Sequence, residues 1–157
     1  MVNILNYKSE NFIISSYQKG KEIVLFFLSR NNTISTDKLP KTADTIEQVL
    51  PSVFNTTCYN DQGKCFKDEI KNTETAHLLE HLIIEFMVQK EKMRGNKITI
   101  KALTSWNWNK NPFGSFKITI KAPQVAKRSF KDSFNASISL MEKIFNQANG
   151  QPKQTVH

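Results

Sequence analysis

Lys97-Ile98-Thr99-Ile100-Lys101-Ala102 and, further on, Ser115-Phe116-Lys117-Ile118-Thr119-Ile120-Lys121 alternate between polar and apolar residues. Side chains two apart project from the same face of an extended chain, so this period marks half-buried strands, over Lys97 to Thr104 and Ser115 to Lys121. Trp106, Trp108, Asn109, Pro112 and Gly114 lie between them. The two segments therefore read as a hairpin with a long tip, its outer face carrying Lys97, Lys101, Lys117 and Lys121. Helical patterns flank this hairpin on both sides.

Thr73 to Gln89 is the clearest predicted helix, with Asn72 or Thr73 as its cap and Gly95 beyond its end. A step of about 100° per residue puts His77, Glu80, His81 and Glu85 in one polar sector. Leu78, Leu79, Leu82, Ile83, Phe86 and Met87 cover the opposite side, and that polar sector is not expected to be the most deeply packed. Ala126 to Gln147 repeats apolar residues every three or four positions at Phe130, Phe134, Ile138, Met141 and Ile144. Upstream, Val2 to Tyr7 and Glu22 to Leu28 read as strands, and Thr42 to Leu50 as a short helix capped near Thr42 or Asp44 and stopped by Pro51. Arg30 to Lys41 and Asn55 to Gly63 are polar loops, and Phe66 to Ile70 a helical turn. The order predicts one α+β domain over residues 1–149, an antiparallel or mixed sheet packed with two long helices and a short one. Residues 150–157 form a polar tail, expected to fray.

The 157 residues suffice for one buried core, and eleven Phe supply bulk for it. The longest apolar run, Ile23 to Leu28, is far too short to span a membrane, and no signal-peptide pattern opens the chain. A soluble cytoplasmic protein is expected, with Cys58 and Cys65 as thiols; a bridge between them is the alternative. Of the net charge of +8, Gln89 to Lys131 holds eleven Lys and Arg against one acid, +10, and the remainder eleven against thirteen, −2. Such a field favours an anionic partner, although a solvated lysine surface is the more common cause of such a bias. Lys97 to Lys131 also interleaves basic and aromatic residues, but no nucleic-acid recognition motif accompanies them.

His77-Leu78-Leu79-Glu80-His81 is H-x-x-E-H, the inverted zinc-peptidase pattern. Two imidazoles one helical turn apart can meet one metal, and Glu80 is placed to act as base toward a metal-activated water. The ordinary alternative is a polar helix surface. A hydrolytic zinc site needs a third protein ligand. Cys58, Cys65, Glu85 and Glu142 are candidates; Glu85 is better placed to orient His81 than to bind metal, and His157 lies in the tail.

The chain resembles the N-terminal domain of cyanophycin synthetase over most of its length. The resemblance rests on the opening strand Asn3-Ile4-Leu5, Leu39-Pro40, Val49-Leu50-Pro51-Ser52, Cys58, the turn Gly63 to Phe66, and Asn72-Thr73-Glu74-Thr75-Ala76-His77-Leu78-Leu79-Glu80-His81-Leu82-Ile83-Ile84-Glu85, with the strand Pro112 to Lys121. It implies a domain that holds a growing chain of aspartate with arginine side groups or, in some members, hydrolyses it at a zinc site. It also implies that the metal sits on His77, His81 and Cys58, with Glu80 as general base. Three positions depart from the pattern: Thr56-Thr57 stand where the family tends to have His-Arg, Ala76 replaces a Gly, and Cys65 replaces a Gly near the turn. The ATP-binding ligase domains are missing from this sequence, so a synthetase is not expected. Two functions are carried forward. One is a zinc-dependent hydrolase of a peptide or isopeptide amide, with Lys97, Lys101, Lys117, Lys121, Trp106 and Trp108 forming a wall for an acidic polymer. The other is a non-catalytic module binding such a polymer.

Overall fold

Ile23, Leu25 and Phe27 alternate along the central strand of the sheet and are buried because they project from one face into the core. The computed structural model describes residues 1–60 and 63–149. The expected tail at 150–157, with His157, lies outside them. Twelve elements follow in chain order: β1 (Val2–Lys8), β2 (Phe12–Lys19), β3 (Glu22–Ser29), α1 (Thr42–Val49), β4 (Thr57–Asn60), β5 (Gly63–Cys65), α2 (Phe66–Glu69), α3 (Thr75–Met93), β6 (Lys101–Ser105), β7 (Ser115–Lys121), α4 (Gln124–Lys127) and α5 (Phe130–Asn149). The main sheet has the order β1-β2-β3-β7-β6 with every neighbouring pair antiparallel. The fold is α+β, as the alternating hairpin implied.

One face of the sheet contributes Phe12, Ile14, Ile23, Leu25, Phe27, Phe116, Ile118 and Ile120 to the core. The long helices supply the other half: Leu78, Leu79, Leu82, Ile83 and Met87 from α3, and Phe130, Phe134, Ile138, Met141 and Ile144 from α5. No helix among the described residues is long and apolar enough to cross a membrane.

Several elements differ from the sequence expectation. β2 is a full strand, though its apolar and polar residues come in doublets (Ile13-Ile14, Ser15-Ser16) that blur the two-residue period. Residues 57–65 are not a plain polar loop but include the antiparallel pair β4 and β5. The strand expected from Lys97 begins at Lys101, because Lys101 pairs with Lys121, the last residue of β7, and 97–100 run past the end of their partner. Ile98 and Ile100 still pack on the core. The helix expected from Ala126 is broken into α4 and α5 around Arg128 and Ser129, both of which turn to Glu91. Helix α3 starts at Thr75 with Glu74 at its N-cap and no side-chain cap, Thr73 being engaged elsewhere. It runs on to Met93, and Gly95 then takes φ +85°, a conformation few side chains allow. The polar sector of α3 is itself covered: Glu80, His81 and Glu85 are all buried.

Candidate metal centre

Pro51 lacks the amide hydrogen that would continue α1, and the chain leaves that helix through a single tight turn over 51–55. Thr56 then directs the chain into β4, which carries Cys58, and the amide of Phe66 donates back to the Thr56 carbonyl at 2.9 Å. This brings Thr56, Cys58 and Phe66 over the polar side of α3. Phe66 is fully buried, and its ring stacks on that of His81 at 3.9 Å between centroids and 9° between planes. His77 meets the same phenyl ring edge-on. The cover explains why the H-x-x-E-H face is interior.

Cys58, His77 and His81 converge, with one ligand atom from each within 4.8 Å of the others. The two Nε2 atoms are 3.1 Å apart, and Cys58 Sγ lies 3.7 Å from His77 Nε2. Zinc–nitrogen bonds of about 2.0 Å and a zinc–sulfur bond of about 2.3 Å at tetrahedral angles separate such atoms by about 3.3 and 3.5 Å. The two separations about His77 are close to these values, and the Cys58 thiol and a His81 nitrogen lie within 4.8 Å of each other. Their chemistry fits as well, since thiolate with imidazole is a borderline-soft set. These residues could hold a metal ion.

The far nitrogens of both rings are anchored by hydroxyls. His81 Nδ1 lies 3.0 Å from Thr56 Oγ1, and Thr56 Oγ1 donates to the Val53 carbonyl at 2.6 Å. His77 Nδ1 lies 2.8 Å from Thr73 Oγ1, which also reaches Glu74 Oε2 at 3.3 Å. Burial lowers the pKa of both histidines, that of His81 to about 3 with a further push from neighbouring His77. Both rings are neutral at pH 7, the form that binds metals.

Glu80 does not join the three donors. Its carboxyl turns toward β6, where Thr104 Oγ1 donates to Oε2 at 2.5 Å. Burial raises its pKa to about 7 against the opposing effect of the Thr104 bond. The orienting role expected of Glu85 passes to Thr56: both nitrogens of His81 are engaged, and Glu85 Oε1 accepts instead from Gln89 at 2.6 Å. The other ligand candidates lie apart. Cys65 is not bridged to Cys58, and its thiol donates to the Phe54 carbonyl. The Glu142 carboxylate accepts from Ser9 and Asn11.

The expected lysines are not beside these donors. Thr104 meets α3, so Lys101, an odd number of residues away on the same strand, projects from the opposite face of the sheet. Lys117 and Lys121 alternate with the buried Phe116, Ile118 and Ile120 and share that outer face, where Lys121 pairs with Glu22 at 3.3 Å. Lys97 is exposed ahead of β6. Trp106 and Trp108 pack on each other and on Phe116, with Trp108 also against Phe113 and donating from its Nε1 to the Ser115 carbonyl. They cap the hairpin tip.

Thr56, Phe66 and Thr73 were not singled out by sequence as parts of a site. Thr73 had a local signal, since it lies one turn before His77 on the approach to the helix. Thr56 and Phe66 had none, because only the chain's return over α3 brings them to the histidines. No family model, curated protein or solved structure matches this chain.

Proposed function

We propose that the chain is a zinc-dependent hydrolase of a peptide or isopeptide amide, with His77, His81 and Cys58 holding the metal. The observation that carries this is the meeting of a thiol and two neutral imidazoles with ligand atoms within 4.8 Å of one another, the imidazole nitrogens 3.1 Å apart. Zinc bound there would supply Lewis acidity toward an amide carbonyl and toward water. Glu80 does the proton work. Its pKa near 7 lets the carboxyl take up and release a proton at neutral pH, and Thr104 fixes one of its two oxygens. Oε1 then receives a proton from water and hands it to the departing amine. His77, the least buried of the three donors, marks the side from which a substrate approaches.

Resemblance to the cyanophycin synthetase N-terminal domain supports the same ligand set and makes an aspartate–arginine polymer the first substrate to try. A reducing cytoplasm suits a thiol ligand, and we place the protein there. The test is hydrolysis of that polymer, and of isopeptide-linked peptides, by zinc-loaded protein. Wild type is expected to cut, and Glu80→Gln to lose the activity while keeping its zinc; a fully active Glu80→Gln would exclude this mechanism.

A second function, binding an acidic polypeptide without cleaving it, is favoured by one observation. Lys101, Lys117 and Lys121 share the uncovered face of the sheet with exposed Phe26 and Leu103. Salt-sensitive binding of polyaspartate by protein free of zinc would select this function.

A further inference from the structure

The hydrogen bonds around the two rings are not equivalent, and the difference bears on how a metal would enter. Oxygens 2.6 Å apart, as Thr56 Oγ1 and the Val53 carbonyl are, repel unless a proton lies between them. The single hydroxyl hydrogen of Thr56 is therefore committed to Val53. Thr56 Oγ1 can only accept from His81, which must carry its ring hydrogen on Nδ1 and present a bare lone pair at Nε2. The two Nε2 atoms at 3.1 Å cannot both be bare without a cation between them. In the metal-free protein, His77 thus carries its hydrogen on Nε2 and donates it to His81. Its Nδ1 then accepts from Thr73 Oγ1 at 2.8 Å. Unlike Thr56, Thr73 has a second acceptor available, Glu74 Oε2 at 3.3 Å.

We propose that Thr56 fixes His81 as a permanently prepared Nε2 ligand, whereas Thr73 is a hydroxyl switch that lets His77 exchange tautomer when a metal arrives. This rests on the metal centre proposed above. In the exchange the hydrogen on His77 Nε2 leaves to water and another from water joins Nδ1, so the ring is neutral before and after. The Thr73 hydroxyl rotates from donating to His77 Nδ1 to donating to Glu74, and its oxygen then accepts from His77 Nδ1–H. Thr56 and Thr73 are positioning residues, acting through the ligands they hold.

The test is long-range proton–nitrogen correlation NMR on histidine-labelled full-length chain, which reads which ring nitrogen carries hydrogen. Without metal, His81 is expected as the Nδ1–H form and His77 as the Nε2–H form; one equivalent of zinc should convert His77 alone. By chelator competition, Thr56→Val should bind zinc about 10- to 100-fold more weakly, the usual loss when such a supporting hydrogen bond is removed. Thr56→Ser should restore both affinity and tautomer. Hydrogen on His81 Nε2 in the metal-free wild type, or wild-type zinc affinity in a folded Thr56→Val, would overturn the proposal. If the wild type bound no zinc, the metal centre itself and the exchange at His77 would fall together, whereas the metal-free spectrum decides the fixed tautomer of His81 on its own. The spectrum of the wild type also serves if Thr56→Val does not fold.

Discussion

At His81 every part of the imidazole is held: Nδ1 by Thr56, Nε2 against His77, and one ring face by Phe66. Phe66 therefore serves packing and ligand placement together. Phe66→Ala should cost about 3–5 kcal/mol of stability, the range for deleting a buried phenyl ring. It should also weaken zinc binding, because His81 loses the wall that sets its plane. Chemical denaturation and chelator competition on the same preparation would check both; an unchanged zinc affinity would confine Phe66 to the core. The histidines and Glu80 were legible in the sequence because the helical repeat itself brings His77 and His81 together. Cys58 was one of four candidates for the third ligand, and only the family resemblance preferred it. Thr56 entered the sequence comparison as a departure from that family, and its hydroxyl is what occupies His81 Nδ1. That contact spans 25 residues and depends on the turn after Pro51, which no local pattern encodes.

Helix α3 is anchored at its far end by Glu91, whose carboxylate has no solvent exposure. Arg128 and Ser129 hold it from the α4–α5 junction, and Arg94 and Asn96 from the turn after α3. Chiefly the Arg128 bond, then Ser129, keeps its pKa well below the usual carboxylate range. A depressed pKa contributes stability that is fully present above the unfolded value and is lost as the pH falls through the folded one. Glu91→Gln should therefore lower the melting temperature at pH 7, and its deficit relative to wild type should shrink as the pH is taken below about 4, where the unfolded carboxyl begins to protonate. A deficit constant across that range, followed by thermal melts, would show that the charge is not what holds the junction. The same cluster explains why one predicted helix became α4 and α5: an apolar stripe at helical spacing cannot reveal that Arg128 and Ser129 are drawn out of line by an acid 37 residues upstream. The hairpin of β6 and β7 was legible because its alternation is strict, and β2 escaped because Ile13-Ile14 and Ser15-Ser16 place like residues on opposite faces.

The five-stranded sheet divides the molecule. Its helical side holds the core and the Cys58, His77 and His81 cluster, and its open side holds the lysines, so the positive field and the candidate metal centre are separate features of one domain. Composition revealed the field, and the motif revealed two of the donors. Their separation depended on which side of the sheet α3 packs, a tertiary fact. Lysine substitutions on the open face should accordingly leave metal content unchanged, whereas changes at Thr56, Cys58 or Phe66 should not. The most direct measurement is elemental analysis of protein purified without added metal, beside Cys58→Ser prepared identically. About one zinc per wild-type chain, with a substoichiometric amount in Cys58→Ser, is the outcome expected if His77, His81 and Cys58 are the three protein ligands. A wild type free of zinc that takes none up from micromolar solution, or a Cys58→Ser that retains a full equivalent, would contradict it.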